Sequence, residues 1–264
     1  MYGTYRASSG YGFGNFDLSN PTGSPGSFSY AWTNTVTTST PLADLARNPL
    51  TGDMVVMVDP FGTKSLSSIT TAGVTTAIGT PADTVYSLAY DTSGTLYSYS
   101  LTATNPWQSL SSANATTLSA GTLTGAQTGP YASFGGNMTG AVGGGFYFAN
   151  EFPGGELITI TPSGNDGLTA IVGTIAGTSF DADAATSPFV AGTTLYALNE
   201  NRLYSVDTST AAATLLGTVT GLPGDFLTFT GAVAPITVPE PASIGLLAVG
   251  VGAWWGWRIT RRRV

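Results

Sequence analysis

Gly192-Thr193-Thr194-Leu195-Tyr196-Ala197-Leu198, then Asn199-Glu200-Asn201-Arg202, then Leu203-Tyr204-Ser205-Val206 is the stretch that decides the fold. Two short runs of aromatic and aliphatic residues flank a polar cluster, and a glycine precedes the first run, which is the composition of two strands joined by a tight turn. The arrangement recurs upstream. Leu66-Ser67-Ser68-Ile69, Trp107-Gln108-Ser109-Leu110 and Leu157-Ile158-Thr159-Ile160 share with Leu203-Tyr204-Ser205-Val206 the pattern large apolar, any, Ser or Thr, aliphatic, and their starts lie 41, 50 and 46 residues apart. Each is followed 13 to 16 residues later by Gly-Thr, at Gly79-Thr80, Gly121-Thr122, Gly173-Thr174 and Gly217-Thr218. Each is preceded by another strand-like run, Met54-Val55-Val56-Met57, Leu96-Tyr97-Ser98-Tyr99, Phe146-Tyr147-Phe148-Ala149 and Leu195-Tyr196-Ala197-Leu198, with Gly52, Gly94, Gly145 and Gly192 just before them.

A still earlier run, such as Tyr86-Ser87-Leu88-Ala89-Tyr90 in the second unit, brings the number of strands per repeat to about four. Four-stranded units repeated every 40–50 residues are the signature of propeller blades. The expectation is therefore an all-β, β-propeller-like domain of about five four-stranded blades, plus a single C-terminal transmembrane helix. A β-sandwich or β-solenoid is the alternative. Helical repeats are disfavoured because Thr, Gly and β-branched residues are poor helix formers. A ring must also close: Phe229-Thr230-Gly231-Ala232-Val233 echoes Met138-Thr139-Gly140-Ala141-Val142, the expected inner strand of the third unit, and has no downstream partners before Pro239. The N-terminal segment, including Phe28-Ser29-Tyr30-Ala31-Trp32, is expected to supply the outer strands of a fifth blade shared by the two chain ends.

Composition narrows the chemistry. The 264 residues include 8 Lys or Arg and 15 Asp or Glu, so charged residues make up 9% against roughly 25% in an average globular domain. There is no Cys and no His, which excludes thiolate or imidazole zinc sites, disulfides, thiol nucleophiles and imidazole general bases. A net charge of −7 argues against nucleic acid, whose phosphates need a basic stripe. No cofactor is implied.

The charge is unevenly placed. Residues 1–237 carry four basic and fourteen acidic residues, a balance of −10, whereas 238–264 carry four basic residues and Glu240, a balance of +3. The expected organisation is a propeller-like domain over 1–235 and a tail over 236–264. The tail has three zones: Val238-Pro239-Glu240-Pro241; an uncharged stretch through Ile244, Leu246, Leu247, Val249, Val251, Trp254, Trp255 and Trp257; and Arg258, Arg261, Arg262 and Arg263. Pro239 and Pro241 fix φ and push their predecessors to extended geometry, so the first zone reads as a stiff, exposed peptide. As a helix, Ala242–Trp257 would span roughly 24 Å, close to the ~30 Å hydrocarbon core, with tryptophans at the interface and arginine stems snorkelling. The basic end sets the cytoplasmic side. A buried C-terminal helix is the competing reading, and three consecutive arginines after a tryptophan cluster fit it poorly.

This three-part tail resembles the PEP-CTERM sorting signal of Gram-negative bacteria. The resemblance covers about 27 residues and rests on Val238-Pro239-Glu240-Pro241, the apolar segment and Arg261-Arg262-Arg263. It implies export, recognition of Pro-Glu-Pro by a membrane-embedded exosortase, removal of the tail, and delivery to the envelope or an extracellular polysaccharide matrix. The implied partners are that enzyme, membrane lipid before processing, and extracellular polysaccharide. An exported domain calls for an N-terminal signal, which Met1-Tyr2-Gly3-Thr4-Tyr5-Arg6-Ala7-Ser8-Ser9-Gly10 does not show. The expectation is a natural start further upstream, the alternative being translocation that relies on the tail alone.

Within the body no catalytic set is expected. Asp181 and Asp183, alternate residues of Asp181-Ala182-Asp183, would share a face if extended and are the candidates for a calcium site, although the segment lacks the Gly and further acids of a dedicated loop. Asp59, Asp91 and Asp207 read as turn formers. Glu151 and Glu156 flank Pro153-Gly154-Gly155 and read as solvated. Gly143-Gly144-Gly145 reads as a tight turn before Phe146, not a phosphate cradle. Asn114-Ala115-Thr116 and Asn137-Met138-Thr139 match the glycosylation pattern, common by chance in a chain with 67 Ser and Thr. The function expected is a non-enzymatic surface or matrix protein. A polysaccharide lyase or glycosidase, or a glycan-binding adhesin using Tyr and Trp platforms, is the alternative.

Overall fold

The computed structural model describes residues 1–24, 26–100, 104–125, 137–141, 143–150, 155–181 and 184–235. The chain opens with β1 (Tyr2–Ala7), β2 (Gly10–Asn15), β3 (Phe28–Ala31) and β4 (Thr33–Thr38). Four consecutive sheets follow: β5 (Leu42–Arg47), β6 (Met54–Val58), β7 (Ser65–Ile69) and β8 (Thr75–Gly79); then β9 (Val85–Tyr90), β10 (Leu96–Ser100), β11 (Trp107–Leu110) and β12 (Thr117–Gly121). After β13 (Leu123–Gly125) come β14 (Asn137–Gly140), β15 (Phe146–Asn150), β16 (Glu156–Ser163) and β17 (Asp166–Thr174). The last are β18 (Thr186–Ala191), β19 (Thr194–Asn199), β20 (Arg202–Val206) and β21 (Ala213–Thr220), followed by β22 (Phe226–Val233).

Each group of four is an antiparallel meander, and β22-β1-β2-β4 makes the fifth sheet. The innermost strands pack in the closed order β22, β5, β9, β14, β18 and back to β22. This is a five-bladed propeller, closed by the C-terminal strand pairing with the N-terminal one from Tyr2↔Val233 to Ala7↔Phe226. The expected echo of the third unit's inner strand in Phe229–Val233 is therefore an inner strand in the structure.

The repeats have a mechanical reading. In all four local blades the first residue of the third strand pairs with the repeated glycine of the fourth: Leu66↔Gly79, Trp107↔Gly121, Leu157↔Gly173 and Leu203↔Gly217. A Cβ on Gly79 would overlap the Asn114 carbonyl oxygen in the next blade's outer turn, one on Gly121 would overlap that of Asn165, and one on Gly173 would come within 3.2 Å of that of Thr210. Glycine is thus where one blade's outer strand abuts the next blade's backbone. The other repeated glycines, Gly52, Gly94, Gly145 and Gly192, have φ of 82°, 81°, 78° and 61°, the left-handed region demanded by the hairpin that joins the first two strands.

One expectation needs correction. Phe28–Ala31 is a strand but does not belong to the closing blade: β3 pairs parallel with β21 as a fifth strand on the preceding sheet, Gly217↔Phe28 to Thr220↔Ala31. Gly217 allows this, because a Cβ there would overlap the Phe28 carbonyl oxygen. β13 covers the edge of β17 in the same way, so two outer edges that would otherwise present unpaired backbone groups are capped.

The core lies between blades. Among the described residues five apolar clusters fill the interfaces, one of them combining Val55, Met57 and Leu66 with Leu88, Leu96 and Leu110. The seam between the closing blade and its predecessor holds Tyr5, Phe16, Trp32, Phe189 and Phe229.

Among the described residues no helix is long and apolar enough to cross a membrane. The expected sorting motif (Val238, Pro239, Glu240, Pro241), anchor (Ile244, Leu246, Leu247, Val249, Val251, Trp254, Trp255, Trp257) and basic end (Arg258, Arg261, Arg262, Arg263) lie outside the described residues.

Candidate functional site

The inner strands run the same way along the axis, so their C-terminal ends converge on one face. There they enclose a funnel of about 410 Å³, with Arg47, Tyr90, Gly140, Ala191 and Val233 at the strand ends and the hairpins that follow them forming the rim. Ala234 and Pro235 lie in the same wall, so the chain leaves the domain at the funnel mouth. Arg47 holds the exit: its Nε donates to the Gly52 carbonyl at 3.1 Å and its Nη1 to the Ala234 carbonyl at 3.3 Å.

Beneath the funnel a polar belt joins neighbouring inner strands. Asp44 is 1% exposed and sits in a bulge of β5, between Ala43↔Met57 and Leu45↔Val56, with φ of 45°, a conformation Asp tolerates better than most residues. Its carboxylate accepts from the Leu45 N–H at 2.7 Å, the Ser87 hydroxyl at 2.9 Å and the Leu88 N–H at 2.6 Å, and from the Met138 N–H. Three inner strands therefore converge on one carboxylate. Burial pushes its pKa up to about 7, against the opposing pull of those donors.

The belt continues around the ring. Asn137 Nδ2 donates to the Thr186 carbonyl at 3.2 Å and to Ser187 Oγ at 2.9 Å, and Ser187 Oγ donates to the Phe229 carbonyl at 3.2 Å. Thr230, itself bulged out of β22, donates to the Leu42 carbonyl at 2.8 Å. A Cβ on Gly231 would stand 2.5 Å from the Leu45 nitrogen and 2.8 Å from Asp44 Cα, so β22 and β5 touch backbone to backbone. This belt joins strands; it does not offer reactive groups to solvent.

The carboxylates expected to shape turns do so. Asp91 Oδ1 accepts from the Ser93 N–H, the Ser93 hydroxyl and the Thr95 N–H at 2.7 to 2.9 Å. Asp207 accepts from Ser209 and Thr210, and Asp59 from Thr63. Asp91 is the acidic residue among those lining the funnel. Gly143, Gly144 and Gly145 all have positive φ, the expected tight turn. Glu156 opens β16, while Glu151 lies outside the described residues. The Asp181 backbone exchanges hydrogen bonds with the Asn199 amide at 3.0 and 2.8 Å; Asp183 lies outside the described residues, among which no group of three candidate metal ligands occurs. Asn137 is 7% exposed, which makes it a strut of the axis and no surface acceptor for a glycan.

Sequence reasoning missed the belt. The signal for it was Asp44 itself, one acid inside the apolar run Leu42-Ala43-Asp44-Leu45-Ala46, since a charge is rarely buried without partners.

Comparison with known proteins yields two findings. Residues 237–263 match the PEP-CTERM protein-sorting motif, beginning two residues after the last described residue, Pro235. The motif implies export, transient membrane anchoring at the C-terminus and processing by an exosortase. No curated protein matches the sequence. Among solved structures, a chain of the nidogen/laminin complex superposes with a TM-score of 0.52 at 9% identity, covering 88% of this chain and 98% of that one, which is a likeness of fold alone. Streptogramin B lyase gives 0.43 at 13% identity over 82% of this chain and 68% of that one. TolB from Acinetobacter baumannii gives 0.43 at 11% over 88% and 66%.

Proposed function

We propose that the protein is a non-enzymatic component of the cell surface or extracellular matrix, delivered there by its C-terminal tail. The match of residues 237–263 to the sorting motif carries this reading. In it Val238, Pro239, Glu240 and Pro241 are the recognition peptide and the segment from Ile244 to Trp257 is the temporary anchor. Arg258, Arg261, Arg262 and Arg263 hold its end on the cytoplasmic side. The domain over 1–235 is the cargo. Two observations support a non-catalytic cargo: the funnel's Asp91 spends Oδ1 on its own turn, and Asp44, 1% exposed, is enclosed by donors from three strands.

Replacing Pro239, Glu240 and Pro241 by alanine in a host that carries the processing enzyme tests the reading. The expected outcome is retention of the full-length chain in the membrane fraction; unchanged mass and location would refute it.

A second reading, a glycan-binding module, draws on one feature of the opposite face. Phe61 is 68% exposed and packs edge-on against Tyr86 with ring centroids 5.3 Å apart, an aromatic surface suited to a sugar ring. A glycan array with the natural protein and Phe61→Ala separates the two: binding that the substitution removes favours the module, and no binding to any polysaccharide removes the second reading.

A further inference from the structure

The point where the chain leaves the propeller fixes which surface meets the processing enzyme. Ala234 and Pro235 lie in the funnel wall, and nothing upstream of them can pay out to lengthen the tether. Phe229 and Thr230 are hydrogen-bonded to Ser187 and Leu42 on the two neighbouring inner strands and Gly231 lies against Asp44, β22 is paired with β1 up to Val233, and Arg47 grips the Ala234 carbonyl. Pro239 lies four positions beyond Pro235, with three residues between them, and four fully extended steps reach at most ~14 Å. An active site that closes on the Pro-Glu-Pro peptide must therefore stand within about 14 Å of the funnel mouth, close enough to touch the surrounding hairpins.

Those hairpins are built for close approach. Leu50 is 67% exposed and Pro49, Thr92, Gly143, Gly192 and Thr193 are exposed and uncharged; the acids of these hairpins are Asp53, exposed and bonded to Thr51, and Asp91, bonded to Ser93 and Thr95. The opposite face, where Phe61 and Lys64 lie, points away from the exit.

We infer that the funnel face, through its rim of hairpins around Leu50, Thr92, Gly143 and Thr193, is the surface that docks on the membrane-embedded processing enzyme, with the propeller axis directed at the membrane. The inference rests on the processing proposed above. It makes the cargo part of the substrate: the enzyme reads a peptide held at a fixed distance from a folded ring.

Photo-crosslinking in the full chain, in a host carrying the enzyme, tests it. A benzophenone side chain at Thr92 is expected to give an adduct with the enzyme, and one at Phe61 none. Thr92→Arg, an exposed change in an existing turn, is expected to slow processing about tenfold, equivalent to ~1.4 kcal/mol in the barrier. Inserting about twelve Gly/Ser residues after Pro235, a spacer of ~20 Å, should restore the rate and remove the Thr92 adduct. Equal adducts at both positions, or no Thr92 adduct while the chain is still processed, would overturn the docking surface and leave the sorting function standing. Normal processing of the chain with alanines at 239–241 would instead overturn the sorting function itself.

Discussion

The four local blades and the closing blade solve the same packing problem with a different balance in the use of glycine. In the local blades glycine makes room for backbone: Gly79 and Gly121 lie against carbonyls of the next blade, and Gly52, Gly94, Gly145 and Gly192 turn the hairpins. In the closing blade Gly231 likewise makes room for the backbone of β5, and further glycines make room for rings. Tyr5 lies over Gly12, its cross-strand partner, and Trp32 covers Gly14 and Gly3, which are paired with each other. The local blades are assembled from neighbours in sequence and have a repeat to show for it. The closing blade joins residues more than two hundred positions apart, and its adhesion comes from an aromatic cluster in which Trp32 meets Tyr5, Phe16 and Phe229 at centroid distances of 5.9, 6.3 and 5.3 Å. Closing a ring by its ends concentrates the loop-closure cost in that one seam, although rings are not confined to it: Trp107 meets Tyr97 and Phe146 at 5.1 and 5.4 Å between the second and third blades.

The sharpest way to break this contrast is Trp32→Ala. Removing a 6% exposed indole from the seam should cost about 3–5 kcal/mol, and urea unfolding followed by fluorescence should show a midpoint shift of the whole ring with one transition. A separate early transition, with the local blades persisting, would show that they stand without closure.

Asp44 links the two regimes, since it sits on a local blade and lies against β22. Asp44→Ala strands several buried donors, each at a cost of about 1–3 kcal/mol, whereas Asp44→Asn keeps an acceptor and a residue that tolerates positive φ, and should cost less. The pH dependence has a definite sign. With a folded pKa of about 7 and an ordinary value of 3.8, the carboxyl favours the folded state most below pH ~4 and loses that contribution as the pH rises to ~7. Thermal melting should show this decline between pH 4 and 7 in the natural protein, and Asp44→Asn should flatten it; an identical slope in both would remove Asp44 as its source.

A smaller effect is expected from Gly121→Ala. The new methyl would overlap the Asn165 carbonyl oxygen, a backbone atom that yields only by moving a blade, at a cost of about 1–3 kcal/mol. Gly94→Ala, at φ 81° with the Leu50 and Asn48 side chains as neighbours, should cost about 1–2 kcal/mol. A loss well below ~1 kcal/mol for Gly121→Ala would mean that the repeated Gly-Thr does not mark blade contact.

The same contrast explains what could be read from the sequence. Local blades announce themselves because each pairing glycine falls at a nearly constant distance from its partner, so register, turn and blade number follow from spacing. Phe28–Ala31 shows the limit: its composition says strand, but whether it extends the closing blade or caps β21 depends on the space beside Gly217, a tertiary fact. β1 and β2 were equally opaque, since Gly3, Gly12 and Gly14 weaken them as strands until Tyr5 and Trp32 cover them. The polar belt left a trace in Asp44, while its partners Ser87, Asn137, Ser187 and Thr230 look like any other polar residues of a Ser- and Thr-rich chain. The tail was legible because its zones are contiguous and need no tertiary context.

Intact-mass analysis with C-terminal peptide mapping of the natively exported protein bears most directly on the central claim, a propeller that ends at the funnel mouth and carries a removable sorting tail. The expected result is a folded protein whose last residue falls at or near Pro239–Pro241. A mature surface protein that retains the chain through Arg263 and Val264 would contradict it.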